Sequence, residues 1–144
     1  MSPLNKNGLR DKLFKLNESI KIIEELLGRD EVIKDNILKS SLYFNLVISI
    51  EIILDIGNHI LAESFNKPAS NYQDIILGLG DKGVVPLDFA KDNQKMGDFR
   101  NKIIHDYDRI DDKQAYEYAV KAPEVFKSFA KSFVEFIDKE NIKN

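Results

Sequence analysis

No cysteine and no tryptophan occur in the 144 residues, histidine occurs twice, and proline and glycine number only four and seven. Without cysteine there is no disulfide frame, no thiolate nucleophile and no cysteine-based zinc site, a composition that suits a reducing interior. So few chain breakers leave room for long helices, and no strand-like alternation competes with them. Also absent are a Walker-type loop, a glycine-rich phosphate turn and a GxSxG elbow, which removes the commoner nucleotide-binding and hydrolase motifs. Net charge is only −3, so attraction to nucleic acid or anionic lipid has to come from a local cluster. The opening MSPLNKNGLRDKLF has no apolar run of signal-peptide length, and a cytoplasmic location is expected.

What is present is a chain with 43% hydrophobic and 31% charged residues, the balance of one soluble domain, residues 1–144, with a single core. Leu9, Leu13, Leu16, Ile20, Ile23 and Leu27 recur at threes and fours, predicting a first amphipathic helix that Gly28 stops. Asp30 is placed to cap a long second helix from about Glu31 to Ser64, before Pro68. Asn71 with Asp74 starts a short third helix through about Leu79, loosened by Gly78, Gly80 and Gly83. Pro86 opens a fourth, carrying Phe89, Met96, Phe99, Ile103 and Tyr107 on one face. Asp111 and Gln114 form a capping box for a fifth, from about Asp112 to Lys139, which Pro123 should kink or restart. Asp111 and Asp112 are read as cap residues only. The expected fold is all-α, an up-and-down bundle of four to five helices.

The stretch LYFNLVISIEIILDIGNHILA, Leu42 to Ala62, is long enough to cross a membrane, but Glu51 and Asp55 near its centre would be costly in lipid. A central helix covered by its neighbours, with a second copy of the chain on any surplus apolar face, is the expectation instead. Within it Glu51, Asp55 and His59 stand one turn apart, a spacing a metal could use. No second ligand pair accompanies them, so a hydrogen-bonded Asp55–His59 pair on a packed helix is expected and no metal is assigned.

The segment RNKIIHDYD, Arg100 to Asp108, carries different chemistry. On a continuous helix with Phe99, Ile103, Tyr107 and Ile110 as the apolar face, Arg100 lies on the border and His105 points outward, splayed about 140° from Arg100. One reading makes Arg100 a helix-edge ion pair with Asp98 or Asp106, His105 a solvated side chain and Tyr107 a core aromatic with a wet hydroxyl. The other uses what the residue types allow. Histidine exchanges protons near neutral pH, and a guanidinium binds phosphate bidentately as negative charge builds on it. Together they meet the minimum for metal-free RNA cleavage, with His105 activating a ribose 2′-hydroxyl and Arg100 stabilising the phosphorane. DNA, lacking that hydroxyl, would be spared. One chain supplies a single convincing histidine, so a two-fold homodimer is expected to complete the cleft. It would also pool Lys91, Lys95, Lys102 and Arg109 as RNA contacts.

Arg100, four intervening residues, His105, one more and Tyr107 resemble the RX4HXY signature of the HEPN superfamily, in particular the HepT-like toxins paired with a minimal nucleotidyltransferase (MNT) antitoxin in type VII systems. The likeness extends over most of the chain through DIGNHILAE, PASNYQDIILGLGDKGVVP and FRNKIIHDYDRID. It implies a helical bundle with its cleft at a homodimer interface, and a metal-independent ribonuclease with Arg100 and His105 as the catalytic pair. Asn101 fills the polar position after the motif arginine. Tyr107 corresponds to the tyrosine that the antitoxin silences by transferring AMP from Mg-ATP, a cofactor of the partner and not of this chain. A bulky anionic nucleotide there would occupy the place of an RNA phosphate. Such an acceptor needs an accessible hydroxyl, whereas periodicity half-buries Tyr107, and a helix that ends near His105 would reconcile the two. A different class of function is also compatible with the bundle: a non-catalytic docking or substrate-binding subunit of a nucleotidyltransferase, with Arg100 and Tyr107 as docking residues.

Overall fold

The computed structural model describes residues 4–143; Met1–Pro3 of the opening segment and Asn144 lie outside them. All regular structure among the described residues is helical: α1 (Lys6–Leu27), α2 (Asn36–Phe65), α3 (Tyr72–Asp81), α4 (Leu87–Asn93), α5 (Met96–His105), a 3-10 turn (Tyr107–Arg109) and α6 (Asp112–Lys143). The expected bundle is therefore present, with two boundaries moved.

The first change is at the start of α2. Asp35, not Asp30, caps it, its carboxylate accepting from the backbone N–H groups of Ile37 and Leu38 at 2.9 and 3.1 Å. Residues 30–34 form turns instead, and Val32 is buried among them. Both aspartates precede apolar residues, and the turn that buries Val32 moves the start of the helix to Asp35.

The second change divides the expected fourth helix. Asn93 and Gln94 donate side-chain amides to the carbonyls of Phe89 and Lys91, both at 2.9 Å, and α4 ends there. α5 begins at Met96, where buried Gly97 lies against Tyr72: a Cβ on it would come within 2.6 Å of the Tyr72 Cβ. α5 then ends at His105, and Tyr107 falls in the 3-10 turn, 46% exposed rather than on a continued apolar face. By contrast α6 runs unbroken through Pro123. Asp111 accepts from the amides of Lys113 and Gln114 at 3.0 and 3.4 Å, supplying the capping half of the expected box.

Three long helices form the frame. Lys12 of α1 pairs with Asp55 of α2, whereas Ser19 meets Asn45, so α1 and α2 run antiparallel. Arg10–Asp138 and Glu24–Lys127 set α1 antiparallel to α6 in the same way. Between α1 and α2 lies a buried polar trio. Ser19 Oγ is 3.0 Å from both the carbonyl and the Oδ1 of Asn45, and accepts from Ser49 Oγ at 3.0 Å. Around it the core is aliphatic on α1, aliphatic with the one aromatic Tyr43 on α2, and largely aromatic on α6, where Phe126, Phe129 and Phe133 are fully buried.

α2 is the one helix among the described residues long and apolar enough to cross a membrane, and half of its most apolar window is buried inside the bundle. It touches α1, α3, α5 and α6. Gly57 lets α3 approach, its missing Cβ leaving room for Leu79 and Ile75. α2 ends at Asn66, in the left-handed conformation at φ 51° that asparagine tolerates better than most residues.

Candidate functional site

α5 and the turn after it lie along one stripe of α2. Arg100 reaches Glu51, its Nε and Nη2 donating to Glu51 Oε1 at 3.0 and 2.7 Å. Seven residues later Tyr107 places its hydroxyl 3.2 Å from Ser40 Oγ. Ser40, Phe44 and Glu51 follow each other at four and seven residues, one face of a helix. The motif therefore runs antiparallel to α2 with its two ends on one stripe.

The partner of Arg100 is thus Glu51, 49 residues away, and neither Asp98 nor Asp106. Its Nη1 donates to Asn101 Oδ1 at 2.9 Å, and its Cζ sits 5.8 Å from the centre of the Tyr72 ring. A guanidinium carries five N–H donors. Three are committed here to two acceptors, which leaves one N–H on each Nη nitrogen for a phosphate. The side chain is only 19% exposed, held between α2 and Tyr72. Glu51, Tyr72 and Arg100 together line a cavity of about 300 Å³.

His105 is exposed at the end of α5, with no hydrogen bond or ion pair. Because α5 stays helical to that point, the splay of about 140° between Arg100 and His105 persists. One chain does not bring them together. Tyr107 packs edge-on against Tyr43, centroids 6.0 Å apart at 76°. Tyr43 is fixed in turn: its hydroxyl donates to Asp112 Oδ1 at 2.5 Å, and Lys39 donates to Asp112 Oδ2 at 3.2 Å. Burial and the Asp112 carboxylate push the Tyr43 phenol far above its usual range, while the Tyr43 hydroxyl holds Asp112 below the ordinary carboxylate value. Read from the sequence as a cap residue, Asp112 is in addition the anchor of the ring behind Tyr107. The only sequence signal was a second acid beside the cap.

Of the four basic residues expected at RNA, all are exposed. Lys102 and Arg109 share one cavity, which Lys91 and Lys95 do not line. The acidic row on α2 is dispersed. Glu51 serves Arg100 and Asp55 pairs with Lys12, while His59 Nε2 is buried without a hydrogen bond, so the expected Asp55–His59 pair does not form. Among the described residues no cluster of three or more His, Cys, Asp or Glu could hold a metal ion.

Comparison with known proteins gives concordant results. A candidate RNase of Archaeoglobus fulgidus is 25% identical over 117 residues, 81% of this chain and 85% of that protein. Among solved structures, the tri-AMPylated HEPN toxin of Shewanella oneidensis, in complex with its MNT antitoxin, superposes with a TM-score of 0.81 at 22% identity, covering 88% of this chain and 96% of that one. YutE of Bacillus subtilis, a cytosolic protein of unknown function, gives 0.82 at 20% identity over 97% and 95% of the two chains. At those identities the two structures establish the fold. The model of the HepT-like ribonuclease family matches residues 16–133. An all-helical chain with the RX4HXY motif laid along its central helix, and a family match over most of its length, belongs to the HepT-like ribonuclease family.

Proposed function

We propose that this chain is the ribonuclease toxin of a HEPN/MNT toxin–antitoxin pair and cleaves RNA without a metal, as a homodimer. The observation that carries the reading is the state of the motif pair: Arg100 is oriented by Glu51 and Asn101 with two N–H groups uncommitted, and His105 is exposed and unpartnered. His105 takes the proton of a ribose 2′-hydroxyl, the 2′-oxygen forms a bond to the adjacent phosphorus, and Arg100 stabilises the charge on the crowded phosphorane. The bond to the 5′-oxygen breaks as that oxygen takes a proton from the protonated His105 of the second copy, and a 2′,3′-cyclic phosphate remains.

Two features favour a homodimer. Arg100 and His105 diverge within one chain, so a cleft that uses both needs a second copy. The stripe of α2 beside the motif is also apolar and uncovered, with Ile37 81% and Phe44 62% exposed and Ile104 of α5 exposed as well. A two-fold interface there would bury these residues and present His105 of one copy to Arg100 of the other.

Tyr107 is the proposed point of control. Its oxygen attacks the α-phosphorus of ATP held by the partner nucleotidyltransferase, pyrophosphate leaves, and AMP remains on the phenol. The Shewanella oneidensis toxin is AMPylated in complex with an MNT antitoxin, and the half-exposed ring on the 3-10 turn gives such a partner access. We place the protein in the cytosol, as YutE is. The test is cleavage of single-stranded RNA in EDTA by the wild-type protein, Arg100→Ala and His105→Ala, with the product end analysed. Loss of at least 100-fold in both variants and a cyclic-phosphate product are expected; a fully active His105→Ala protein overturns the assignment.

A further inference from the structure

A second pocket beside the motif lies on the other side of α5. A cavity of about 440 Å³, within the range of small-ligand sites, lies between α5, the 3-10 turn and the start of α6. Phe99, Lys102 and Ile103 line it from one face of α5, Asp106 from the residue that follows the helix, and Tyr118 closes it from α6. Phe99 and Tyr118 are stacked, centroids 4.1 Å apart and planes within 18°. Two parallel rings at the wall of a cavity are a platform on which a third flat ring can stack.

Charge at the mouth points the same way. Lys102 and Arg109 line the cavity, are exposed, and take part in none of the ion pairs among the described residues. Two carboxylates line the cavity with them: Asp111 is occupied capping α6, which leaves Asp106 as an acceptor for a ring N–H or exocyclic amine. Lys102 is three residues before His105 and about 60° round the helix from it, so the cavity mouth adjoins the proposed base.

We propose that this cavity is a nucleotide subsite: one base of a single-stranded RNA enters it to extend the Phe99–Tyr118 stack, and the phosphate beside that base is held by Lys102 and Arg109. The inference rests on the ribonuclease reading and adds a position at which the enzyme grips its substrate away from the scissile bond.

The test uses full-length His105→Ala protein, which binds without cutting, and short RNA oligonucleotides in which 2-aminopurine is moved one position at a time. One position is expected to lose several-fold of its fluorescence on binding. That loss should disappear with Tyr118→Leu, and affinity should fall about tenfold with the surface double variant Lys102→Ala/Arg109→Ala. With protein that retains His105, an abasic nucleotide at the same position should raise KM about tenfold and leave kcat unchanged. RNA that binds with no position quenched, or with quenching and affinity unaltered by the double variant, overturns the subsite while sparing the ribonuclease reading. Free AMP bound as tightly as the oligonucleotide, with no effect of the abasic site, also overturns it and marks a mononucleotide site instead. If no oligonucleotide binds at all, the ribonuclease reading itself fails and the subsite with it.

Discussion

Replacing Glu51 should separate substrate affinity from turnover. Glu51 Oε1 takes two of the Arg100 donors at 3.0 and 2.7 Å, which fixes the plane of the guanidinium, while its negative charge stands beside the place where a phosphate must bind. Two anions on opposite edges of one guanidinium are roughly 6 Å apart, where a near-aqueous dielectric leaves about 1 kcal/mol of repulsion. Removing the charge should therefore lower KM for RNA about fivefold, since about 1.4 kcal/mol corresponds to a factor of ten. Removing the acceptor frees a side chain now only 19% exposed to choose other rotamers, and misplacing a catalytic group by about 1 Å can cost up to 100-fold in rate. Glu51→Ala should thus bind RNA more tightly and turn over about 10- to 100-fold more slowly. Glu51→Gln keeps a neutral acceptor, so its KM should fall as in the alanine variant while kcat stays within about threefold of wild type. Steady-state cleavage of a fluorogenic RNA, with thermal melts run alongside, measures each quantity. Wild-type kcat and KM for Glu51→Ala would refute this account of Arg100, as would a loss shared equally by the alanine and glutamine variants.

Gly97→Ala should destabilise the protein by about 2 kcal/mol or more, because the new Cβ meets the stem of Tyr72 at 2.6 Å and that atom cannot swing away. Chemical denaturation measures it, and cleavage should drop too, since Tyr72 packs under Arg100. Asp112 is held low in the folded state, chiefly by the Tyr43 hydroxyl, so its contribution is present above the ordinary aspartate pKa and disappears as pH falls below about 4. Asp112→Asn should cost about 1 kcal/mol at neutral pH, limited by the exposure of the Asp112 side chain, and progressively less in acid-titrated melts as pH falls below about 4. Burial raises the Tyr118 phenol, so the unfolded chain ionises it first and stability drops as pH climbs above about 10. Tyr118→Phe should reduce that alkaline slope in melts between about pH 9 and 11, with Tyr43, raised likewise, keeping the remainder. Phe44→Glu should convert the proposed dimer to monomer in light scattering and abolish cleavage with the fold retained, since a charge would sit on the exposed α2 stripe.

Local signals carried most of the fold. The threes and fours of α1 and the Asn71 cap, whose Oδ1 accepts from the Asp74 amide at 2.8 Å, depend on residues within one or two turns of each other. The start of α2 escaped because Asp30 and Asp35 are both competent caps, and tertiary burial of Val32 distinguishes them. Periodicity alone puts Tyr107 on the apolar face, and only the need for an accessible hydroxyl asks for a helix that ends near His105; α5 does end there, and the ring packs on Tyr43 of α2 rather than on the next turn of its own helix. At the site the residue types were legible and their partners were not. Glu51 and Arg100 are 49 positions apart, Tyr43 and Asp112 69, and no periodicity connects residues at such separations. Asp112 was indistinguishable from a cap because its neighbour Asp111 performs that role.

The polar trio between α1 and α2 bears on the accuracy of the whole arrangement. Two helices joined by interchangeable aliphatic side chains could slide along one another by a turn at small cost, and a turn is about 5.4 Å. Ser19, Asn45 and Ser49 make that displacement expensive, because it would break every hydrogen bond between the two helices in the trio and leave the buried Ser19 and Ser49 hydroxyls unpartnered. Asn45 and Ser49 lie on the same helix as Ser40 and Glu51, so the peg that sets the axial position of α2 also sets where the motif arginine and tyrosine find their supports. A pair of serines and an asparagine, remote from any chemistry, thereby act as the gauge mark from which the spacing of the cleft is measured.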